Sequence, residues 1–549
     1  MRNMHECMPV RCGQERVAVI RAAVNGRPVS VEQGTTILEA AKSIGVEIPT
    51  LCFSPGMEPS ISCFVCSVKI EGLPNLVPAC ATRVQEGMRI STDTAEIREA
   101  RTTALELLLS DHAGDCTAPC QSACPAHIEI PTFLGHIRRG EQREALRVIR
   151  RKTAFPGVLG RICPEICERA CRRKDIDSPV AVCHLKRFAA DCSPDTGTFD
   201  IPRCAQPSGM KAAVVGAGPA GLSAAYYLLQ KGHACTVIDN NAEPGGALRY
   251  RIVRKRLPAE VLDAEIRIIQ DMGCRFIMEQ EWGVDFSLDD LKGEYDAVFL
   301  ACGNLENSEN AAEQGLSGGK HGIVADRRTF QTSVDSVFAG GACVRKTDAA
   351  VRACADGRRA AVSMDQCMRG NPVTGEPDLF SVHMGRLSEA ELAAFTEQAK
   401  DIPRAVDIAA GNINPGEQRK GFTEQEAVRE AGRCLECDCA EADNCGLRIL
   451  ADEYSARPAT YRGTRRTFQR DTTHPDIIYE PGKCIMCGIC VRLAEKQREE
   501  LGLAFIGRGF NVTLKVPFNS SIESGLRRTA LKCAELCPTG ALYVRRQGP

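Results

Sequence analysis

Cysteine dominates the chemistry that this chain could perform. The sequence holds thirty cysteines but only nine histidines in 549 residues, and most of the cysteines stand in small groups at short spacings. Grouped cysteines in a large chain bind metal more often than they form the disulfide frameworks of short exported proteins. Because thiols so outnumber imidazoles, the groups favour iron–sulfur clusters over zinc. Such a content of iron–sulfur sites is typical of an anaerobic host.

The first group lies near the amino terminus, in the pattern Cys52-x10-Cys63-x2-Cys66-x13-Cys80. Four thiolates, two of them on one tight loop, suit a [2Fe–2S] cluster, with a structural zinc site as the alternative. Asn25-Gly26 predicts a β-hairpin, and Thr35 or Thr36 can start a helix. Together these features resemble the β-grasp [2Fe–2S] domain of the large iron–sulfur subunit of respiratory complex I and of related hydrogenases and formate dehydrogenases. We expect this domain at residues 17–98.

Two cysteine triplets follow, Cys116-x3-Cys120-x3-Cys124 and Cys163-x3-Cys167-x3-Cys171. Their helical-turn spacing and the adjoining prolines are typical of ligands to [4Fe–4S] clusters. The surrounding stretches, CPAHIEIPTFLGHIRRGEQREAL and GRICPEICERACRR, resemble the N-terminal domain of the glutamate synthase small subunit and of dihydropyrimidine dehydrogenase. That resemblance implies a helical domain at residues 99–205 with two [4Fe–4S] clusters, each with ligands from both triplets.

Two positions depart from that family. The family has a further cysteine ahead of the first triplet, where this chain has His112, and complex I uses a histidine ligand at the corresponding place. His112 is therefore a candidate ligand, with an ordinary surface histidine as the alternative. Lys186 occupies the position at which the family has a non-cysteine ligand to iron. An ammonium group has no lone pair to donate to iron. Cys183 is a candidate replacement, so this domain holds one cluster or two.

The stretch from Met210 to Asp239 predicts a dinucleotide-binding turn between a strand and a helix. The three glycines of Gly216-x-Gly218-x-x-Gly221 allow a tight turn, the approach of a pyrophosphate and close packing of helix on strand. The helix N-terminus attracts phosphate, and the Asp239 carboxylate can bind a ribose. The candidate cofactor-binding residues are Gly216, Gly218, Pro219, Ala220, Gly221, Asp239, Gly245, Gly246, Arg249, Gly303 and Gly341.

Residues 209–372 resemble the Rossmann-like FAD lobe of the same glutamate synthase family, through GGALRYRIVRKRLPAE, YDAVFLACGN and TFQTSVDSVFAGG. In that family an NADPH lobe is inserted at this point, but here only 33 residues separate Asn304 from Phe338. A nucleotide-binding domain needs roughly 100 residues, so the NADPH lobe is absent. The family's Gly-Asp, whose carboxylate holds the ribityl hydroxyls, reads Gly341-Ala342. Loss of that hydrogen bond costs roughly 1.5–3 kcal/mol, which a large cofactor tolerates; a flavin-free lobe kept as scaffold is the alternative.

The last third of the chain holds two more cysteine groups. Cys434, Cys437, Cys439 and Cys445 lie within twelve residues and predict one [4Fe–4S] cluster or a zinc site, in a linker at residues 373–475. In that linker Ser388-x-x-Glu391 and Thr423-x-x-Glu426 predict helix starts. The run Cys484-x2-Cys487-x2-Cys490 with the later Cys537-Pro538 resembles bacterial ferredoxins and implies one complete [4Fe–4S] cluster. Cys533 is interpreted as the remnant of a second site. We expect a ferredoxin-like domain at residues 476–549.

Composition excludes several other classes of function. Sixty-nine basic and seventy acidic residues leave a formal charge of -1, which does not suggest a nucleic-acid surface. There is no apolar run of the ~20 residues that a membrane span needs. The polar first residues lack the apolar segment of a signal peptide. We therefore expect a cytoplasmic protein.

These patterns predict a multidomain protein of α+β and α/β class that binds FAD, one [2Fe–2S] cluster and about three or four [4Fe–4S] clusters. We predict an electron-transfer subunit of a multi-subunit oxidoreductase, with no catalytic residue assigned. Its expected partners are subunits like those of formate dehydrogenase, hydrogenase or an NADH-oxidising flavoprotein, and electron bifurcation at the flavin stays open. The alternatives are a reductase like the glutamate synthase small subunit, and a flavin-free scaffold that only holds clusters.

Overall fold

The computed structural model describes residues 18–192, 202–304, 309–319, 322–346, 349–378, 380–396, 421–461 and 463–545. Within them the chain forms two compact units. The first unit comprises the described residues up to Cys116, the segment Phe380–Arg386 and the residues from Cys439 onward. The second unit comprises the described residues between Thr117 and Leu379 and between Leu387 and Asp438. The predicted domain limits at 17 and 549 and linker residues 397–420 lie outside the described residues.

The first unit begins with a five-stranded sheet and two helices. The predicted hairpin forms, since Asn25 and Gly26 both take left-handed φ values, 50° and 76°. Thr36 caps the first helix in a capping box with Glu39. The sheet order β2-β1-β5-β3-β4, with β1 and β5 parallel, matches the expected β-grasp domain. The elements are β1 Val19–Val24, β2 Arg27–Glu32, α1 Ile37–Ser43, β3 Ser67–Ile70, β4 Val77–Pro78, β5 Arg89–Ser91 and α2 Ala95–Leu109.

The second unit begins with six short helices whose apolar faces pack together around Phe133, Phe155 and Leu185, all fully buried. The elements are α3 Pro119–Ala123, α4 Ile130–Arg138, α5 Gln142–Arg150, α6 Pro156–Ile162, α7 Ile166–Arg169 and α8 Val182–Asp191. Proline at the first turn of α3, α4 and α6 removes a backbone donor that would have no partner there. The cysteines therefore stand at the ends of short helices and on the turns between them.

A parallel sheet follows in the second unit, in the order β12-β9-β6-β7-β8. Helix α14 packs on α9 so closely that a Cβ atom at Gly357 would overlap the Ala220 carbonyl oxygen. Between β9 and β12 the described residues form only one short helix and one pair of two-residue strands, so this part of the chain contains no second nucleotide-binding lobe. The elements are β6 Lys211–Val215, α9 Pro219–Gln230, β7 Ala234–Ile238, α10 Ala247–Tyr250, α11 Ala259–Asp271, β8 Arg275–Ile277, α12 Leu288–Glu294, β9 Ala297–Leu300, α13 Glu309–Glu313, β10 Gly318–Gly319, β11 Gly322–Ile323, β12 Val337–Ala339, α14 Ala350–Met368 and α15 Glu389–Thr396.

Buried Glu265 on α11 connects this lobe to the helical cysteine domain of the same unit. Its carboxylate accepts hydrogen bonds from the backbone amides of Gly157 and Val158, at 2.6 and 3.0 Å, in the first turn of α6. Burial raises the pKa of Glu265 to about 7. This carboxyl group is therefore one of the contacts between two domains of the second unit, together with the hydrogen bond from the Tyr227 hydroxyl to the Arg150 carbonyl oxygen.

The last elements divide between the two units. Helix α16 begins at the predicted capping box of Thr423 and Glu426 and packs on α4 in the second unit. The first unit takes the remainder, in which β13 pairs with β16 and α18 packs against α20, as expected for a ferredoxin-like domain. No helix in the described ranges is long and apolar enough to span a bilayer. The elements are α16 Glu424–Gly432, α17 Gly446–Glu453, β13 Ile477–Tyr479, α18 Ile489–Lys496, β14 Ala504–Ile506, β15 Thr513–Lys515, α19 Ile522–Gly525, α20 Ala530–Leu536 and β16 Leu542–Val544.

Candidate redox sites

The predicted dinucleotide turn opens onto a cavity of about 860 Å³ in the second unit, within the range of cofactor sites. The turn after β6 and the N-terminus of α9 form one wall, and the segments after β9 and β12 form others. Lys346 and Arg251 add positive charge to the lining, which suits a pyrophosphate. Among the predicted residues, those that line this flavin cavity are Gly216, Gly218, Pro219, Ala220, Asp239, Gly246 and Gly303.

Glycine is required where the turn is most crowded. A Cβ atom at Gly216, whose φ is 108°, would overlap the Ala301 carbonyl oxygen, and one at Gly221 would overlap the Gly216 carbonyl oxygen. Asp239 fixes the turn from the next strand, since its carboxylate accepts a hydrogen bond from the Ala217 amide at 2.5 Å. The backbone thus forms a cradle open to a pyrophosphate, and these residues fit FAD.

Four predicted cofactor-binding residues do not line the cavity. Gly221, Gly245 and Gly341 shape the backbone behind it, and the neighbour of Gly341, Ala342, lines it instead. Arg249 donates to the Pro244 carbonyl oxygen at 2.7 Å and pairs with Asp263 on α11. Arg249 therefore does not line the cavity in this structure, since its guanidinium pairs with Asp263, and its contact with the cofactor stays a prediction.

The four cysteines of the predicted [2Fe–2S] site converge in the first unit. Cys52, Cys63, Cys66 and Cys80 are at most 3% exposed. Hydrogen bonds from the thiols of Cys63 and Cys80 lower the pKa of Cys52, and Cys66 is hydrogen-bonded to Cys80. Four buried thiols linked by hydrogen bonds fit a [2Fe–2S] cluster.

In the second unit, four cysteines from three separate segments line one apolar cavity, which we call the Cys120 cavity. Its cysteines are Cys120, Cys171, Cys434 and Cys437. Burial raises the pKa of the Cys120 thiol, and the neighbouring sulfur atoms of Cys434, Cys171 and Cys437 raise it further. The two cysteine triplets therefore supply only half of the thiols in this cavity.

A second cavity of the same unit, the Cys124 cavity, is lined by Cys124, Cys163, Cys167 and Lys186. The Cys183 thiol lies beside it, hydrogen-bonded to Cys163 and Cys167. Lys186 is 3% exposed, and although burial opposes its charge, the surrounding sulfur atoms raise its pKa. Three cysteines with Cys183 as a fourth fit a [4Fe–4S] cluster, in line with the replacement expected for Lys186.

Three cysteines of the first unit lie together: Cys116, Cys439 and Cys445. Burial raises the pKa of Cys445 to about 12, with contributions from the Cys439 and Cys116 sulfur atoms. The imidazole of His112 lies beside Lys483, next to Gly114. Desolvation, with the charges of Lys483 and Arg466, lowers the pKa of His112 to about 4. A neutral imidazole can ligate metal, so His112 keeps its place as a candidate ligand.

The ferredoxin run closes around a third cavity, the Cys484 cavity, in the first unit. Its cysteines are Cys484, Cys487, Cys490, Cys533 and Cys537. The Cys533 thiol is 1% exposed and donates to the Cys490 carbonyl oxygen at 3.9 Å. Five cysteines thus line this cavity, whereas a [4Fe–4S] cluster needs four thiolate ligands. The cavity fits such a cluster, with one cysteine that is not required as a ligand.

The group Cys434–Cys445, predicted from the sequence to form one site, is divided by the fold. Cys434 and Cys437 lie in the Cys120 cavity, whereas Cys439 and Cys445 belong to the first unit with Cys116. The unit boundary falls at Asp438, between the second and third of these cysteines. Sequence proximity was misleading here because Cys434 and Cys437, three residues apart, and Cys439 and Cys445, six residues apart, join different remote partners.

Within the second unit the flavin cavity and the two cysteine cavities are neighbours. Ile130 and Val182 line both the Cys120 cavity and the Cys124 cavity. Helix α14 separates the Cys124 cavity from the flavin cavity, since Ala353 lines the flavin cavity and Cys354 lies within electrostatic range of Lys186 and Cys163. The two cysteine cavities therefore share wall residues, and neighbouring residues of α14 face the flavin cavity and interact with the Cys124 site.

The first unit shows a comparable arrangement around one apolar core. That core contains Cys52 and Cys63 of the [2Fe–2S] site, Cys445 of the Cys116 group and Cys487 of the Cys484 cavity. The Ser60 hydroxyl, near the [2Fe–2S] loop, donates to the Cys487 carbonyl oxygen at 2.5 Å. Cysteines of three sites thus pack in one water-poor environment.

Sequence reasoning missed the residues that hold Cys434 in place. Arg433 is fully buried and bonds to Glu430 at 2.6 Å and to Asp177 at 3.0 Å. Arg172 and Arg173, both at most 7% exposed, line the Cys120 cavity. Their only signal in the sequence is their position beside cysteines.

Three family models match successive parts of the chain. Residues 18–95 match the 2Fe-2S iron-sulfur cluster binding domain, residues 92–198 match dihydropyrimidine dehydrogenase domain II, 4Fe-4S cluster, and residues 206–357 match the pyridine nucleotide-disulphide oxidoreductase domain. These matches confirm the predicted [2Fe–2S], [4Fe–4S] and flavin-dependent domains.

Several curated proteins are similar over parts of the chain. The beta subunit of an NADP(+)-dependent formate dehydrogenase from Moorella thermoacetica is 31% identical over 66% of this chain and 51% of its own length. The beta subunit of an NADPH-Fe(3+) oxidoreductase from Geobacter sulfurreducens is 41% identical over 34% of this chain and 28% of its own. The small chain of the NADPH glutamate synthase from Bacillus subtilis is 33% identical over 41% of this chain and 48% of its own. The chain spans about half or less of these relatives.

The matched relatives are subunits or chains of oxidoreductases, as the sequence led us to expect. Three successive segments of the chain therefore match three domain families: a [2Fe–2S] domain, a dihydropyrimidine dehydrogenase-type [4Fe–4S] domain and a pyridine nucleotide-disulphide oxidoreductase domain.

Proposed function

We propose that this chain is an electron-transfer subunit of a multi-subunit oxidoreductase, in which FAD and iron–sulfur clusters exchange electrons with partner subunits. The observation that carries the proposal is that the flavin, Cys124 and Cys120 cavities lie in one unit, with Ile130 and Val182 lining both cysteine cavities. When bound, FAD would supply a two-electron carrier and the clusters one-electron carriers.

The protein's own contribution is to hold these groups and exclude water. The glycine turn and Asp239 would hold the FAD pyrophosphate and ribose. The walls of the Cys120 and Cys124 cavities are mostly apolar, with Ile130 and Val182 between the two. Such surroundings keep solvent from the sulfur atoms and thereby influence the reduction potentials of bound clusters.

The missing NADPH lobe supports a role as a subunit rather than a complete reductase. The flavin lobe has one glycine-rich turn, and the described residues between β9 and β12 provide no second one. Electrons would therefore be exchanged with partner proteins instead of a pyridine nucleotide bound by this chain. Similarity to a formate dehydrogenase subunit favours a formate dehydrogenase-like subunit as partner. Hydrogenase-like and NADH-oxidising flavoprotein-like subunits stay the other partners predicted from the sequence. The many free cysteines support a reducing cytoplasmic location.

The test is cofactor analysis of the anaerobically purified full chain. We expect about one FAD per chain, iron and sulfide for a [2Fe–2S] cluster with three or more [4Fe–4S] clusters, and bleaching by dithionite but by neither NADH nor NADPH. Prompt bleaching by NADPH would contradict the proposal and favour a reductase like the glutamate synthase small subunit. A chain without iron would contradict it outright.

One observation favours a flavin-free scaffold as the second candidate. Ala342 lines the flavin cavity at the position where the family has an aspartate, so the cavity lacks that ribityl contact. The scaffold predicts full iron content with no flavin released on denaturation. Restoring the carboxylate with Ala342→Asp discriminates further: in the flavoprotein it strengthens FAD retention, whereas in the scaffold it changes nothing.

A further inference from the structure

We propose that the Cys120 cavity is a [4Fe–4S] site whose four ligands are Cys120, Cys171, Cys434 and Cys437. The assignment rests on the proposed electron-transfer function and extends it. Two ligands come from the helical domain, and the other two come from a Cys-x-x-Cys turn more than 260 residues later in the chain. This remote turn replaces ligands that the helical domain of this chain does not supply.

The thiols of the cavity form a complete and exclusive set. Among the described residues these four are the only cysteines that line it, and the rest of its lining is largely apolar, with Ile130, Leu134 and Val180 among the walls. A [4Fe–4S] cluster takes four thiolates. All four thiols belong to the second unit, so that unit completes the site from its own residues.

The Cys434–Cys437 turn has the backbone of a cluster-binding loop. Glu436, its third residue, takes a left-handed φ of 45°, and Met486 takes 53° at the same position of the ferredoxin turn Cys484–Cys487. In both turns the amide of this third residue hydrogen-bonds to the sulfur of the first cysteine. Left-handed conformations are costly for residues with a side chain. Two turns with the same uncommon conformation and the same N–H···S bond indicate the same task.

A buried ionic network holds this turn against the helical domain. The Arg433 guanidinium bonds to Glu430 on α16 and to Asp177, Ser178 and Pro179 on the loop after Cys171. In return, Glu430 accepts a hydrogen bond from the Ala181 amide at 2.9 Å. Cys434 directly follows Arg433, so the network fixes the position of Cys434 relative to Cys171.

The charges around the cavity suit an anionic group. Arg172 and Arg173 both line it and are 7% and 2% exposed. Four thiolates give the complete cluster a net negative charge, which a buried site tolerates only with nearby positive charge. The two arginines provide that charge, and Arg173 is itself fixed by an ion pair with Asp177 at 2.8 Å.

The test compares pairs of substitutions in the full chain, purified anaerobically. The measurements are iron, sulfide and zinc per chain and the EPR spectrum after dithionite reduction. We expect Cys434→Ser with Cys437→Ser to remove about four iron atoms and one reduced-cluster signal. We expect Cys120→Ser with Cys171→Ser to remove the same signal, and all four substitutions together to remove no more than about four iron atoms.

The matched control is Cys439→Ser with Cys445→Ser, which lies two residues further along the chain and should remove a different signal. The assignment is overturned if this control removes the same signal as the Cys434 pair, if the fourfold variant loses about eight iron atoms, or if the Cys434 pair removes zinc. If a double variant does not fold, single variants replace it: Cys437→Ser and Cys120→Ser should alter one and the same EPR signal, and different signals overturn the assignment. A wild-type chain without iron would instead refute the proposed function itself.

Discussion

Arg433→Met tests the network that positions the Cys434–Cys437 turn. The Arg433 side chain is fully buried, and its guanidinium donates to the Glu430 carboxylate at 2.6 Å, to Asp177 at 3.0 Å and to the Ser178 carbonyl oxygen at 2.7 Å. Methionine keeps an unbranched apolar stem of similar length but removes every one of these donors. The Glu430 side chain, also fully buried, then loses its charged partner.

The expected loss of stability in the packing of α16 follows from leaving a buried carboxylate without its counter-ion. Breaking such a pair costs about 3–5 kcal/mol. At about 1.4 kcal/mol per factor of ten, local opening of α16 from the helical domain becomes between about a hundredfold and a few thousandfold more frequent. The effect should stay local, since no residue of the network belongs to the first unit.

Hydrogen exchange measures this opening directly. The Ala181 amide donates to Glu430 at 2.9 Å, so its exchange rate reports whether the contact is closed. We expect hydrogen exchange at the Ala181 amide to accelerate between about a hundredfold and a few thousandfold. Amides of the β1–β2 hairpin in the first unit should keep their wild-type exchange rates. In Arg433→Met with Glu430→Gln, the buried group is neutral and most of the protection should return.

Two results would refute this reasoning. Unchanged protection of Ala181 in Arg433→Met would show that the ionic network does not hold α16 in place. Equal loss of protection in the single and double variants would show that apolar packing, not the unpaired carboxylate, sets the cost.

Three further predictions address other parts of the molecule. Gly221→Ala places a methyl group against a carbonyl oxygen of the flavin turn, so it should lower the free energy of unfolding by roughly 1–3 kcal/mol and FAD per chain by roughly half or more. In the control Gly293→Ala the new methyl group meets nothing within 4 Å, and FAD content should stay unchanged. In the folded protein Glu265 has a pKa of about 7, above its ordinary value of 4.5, so the folded state binds this proton more tightly than the unfolded state. The free energy of unfolding should therefore fall by about 3 kcal/mol as pH rises from about 4.5 to about 7. Urea unfolding followed by flavin fluorescence should show this slope, and Glu265→Gln should remove it; a slope that persists would assign it to other groups. Cys537→Ala should remove about four iron atoms while Cys533→Ala removes none, and the reverse result would exchange their roles.

Local features of this fold could be read from the sequence because their causes are local. The Asn25-Gly26 hairpin, the capping boxes and the glycine turn after β6 each depend on residues within one short segment. The ligand partition of Cys434–Cys445 could not be read in this way. It depends on which remote segments meet each pair, and spacing carries no information about that choice.

Two side chains show how tertiary context changes a local interpretation. Glu430 and Arg433 are three residues apart on a helix, a spacing that usually indicates an exposed ion pair. Burial between α16 and the loop after Cys171 turns this pair into an internal network. Arg249 follows the glycine turn as a cofactor ligand would, but Asp263 on α11 pairs with it. In both cases the deciding partner comes from an element that local patterns do not link to the residue.

The division of each unit among distant stretches of chain bears on how the protein is made. The four cysteines at 52–80 emerge together, so the [2Fe–2S] loop can be filled early in synthesis. Cys120, in contrast, must wait until Cys437 has been translated, which at ~5–20 residues per second takes on the order of half a minute. During that delay the early thiols stay exposed to oxidants and to stray metal ions. Cofactor insertion should therefore proceed in a fixed order, with the [2Fe–2S] site of residues 52–80 complete before the Cys120 cavity.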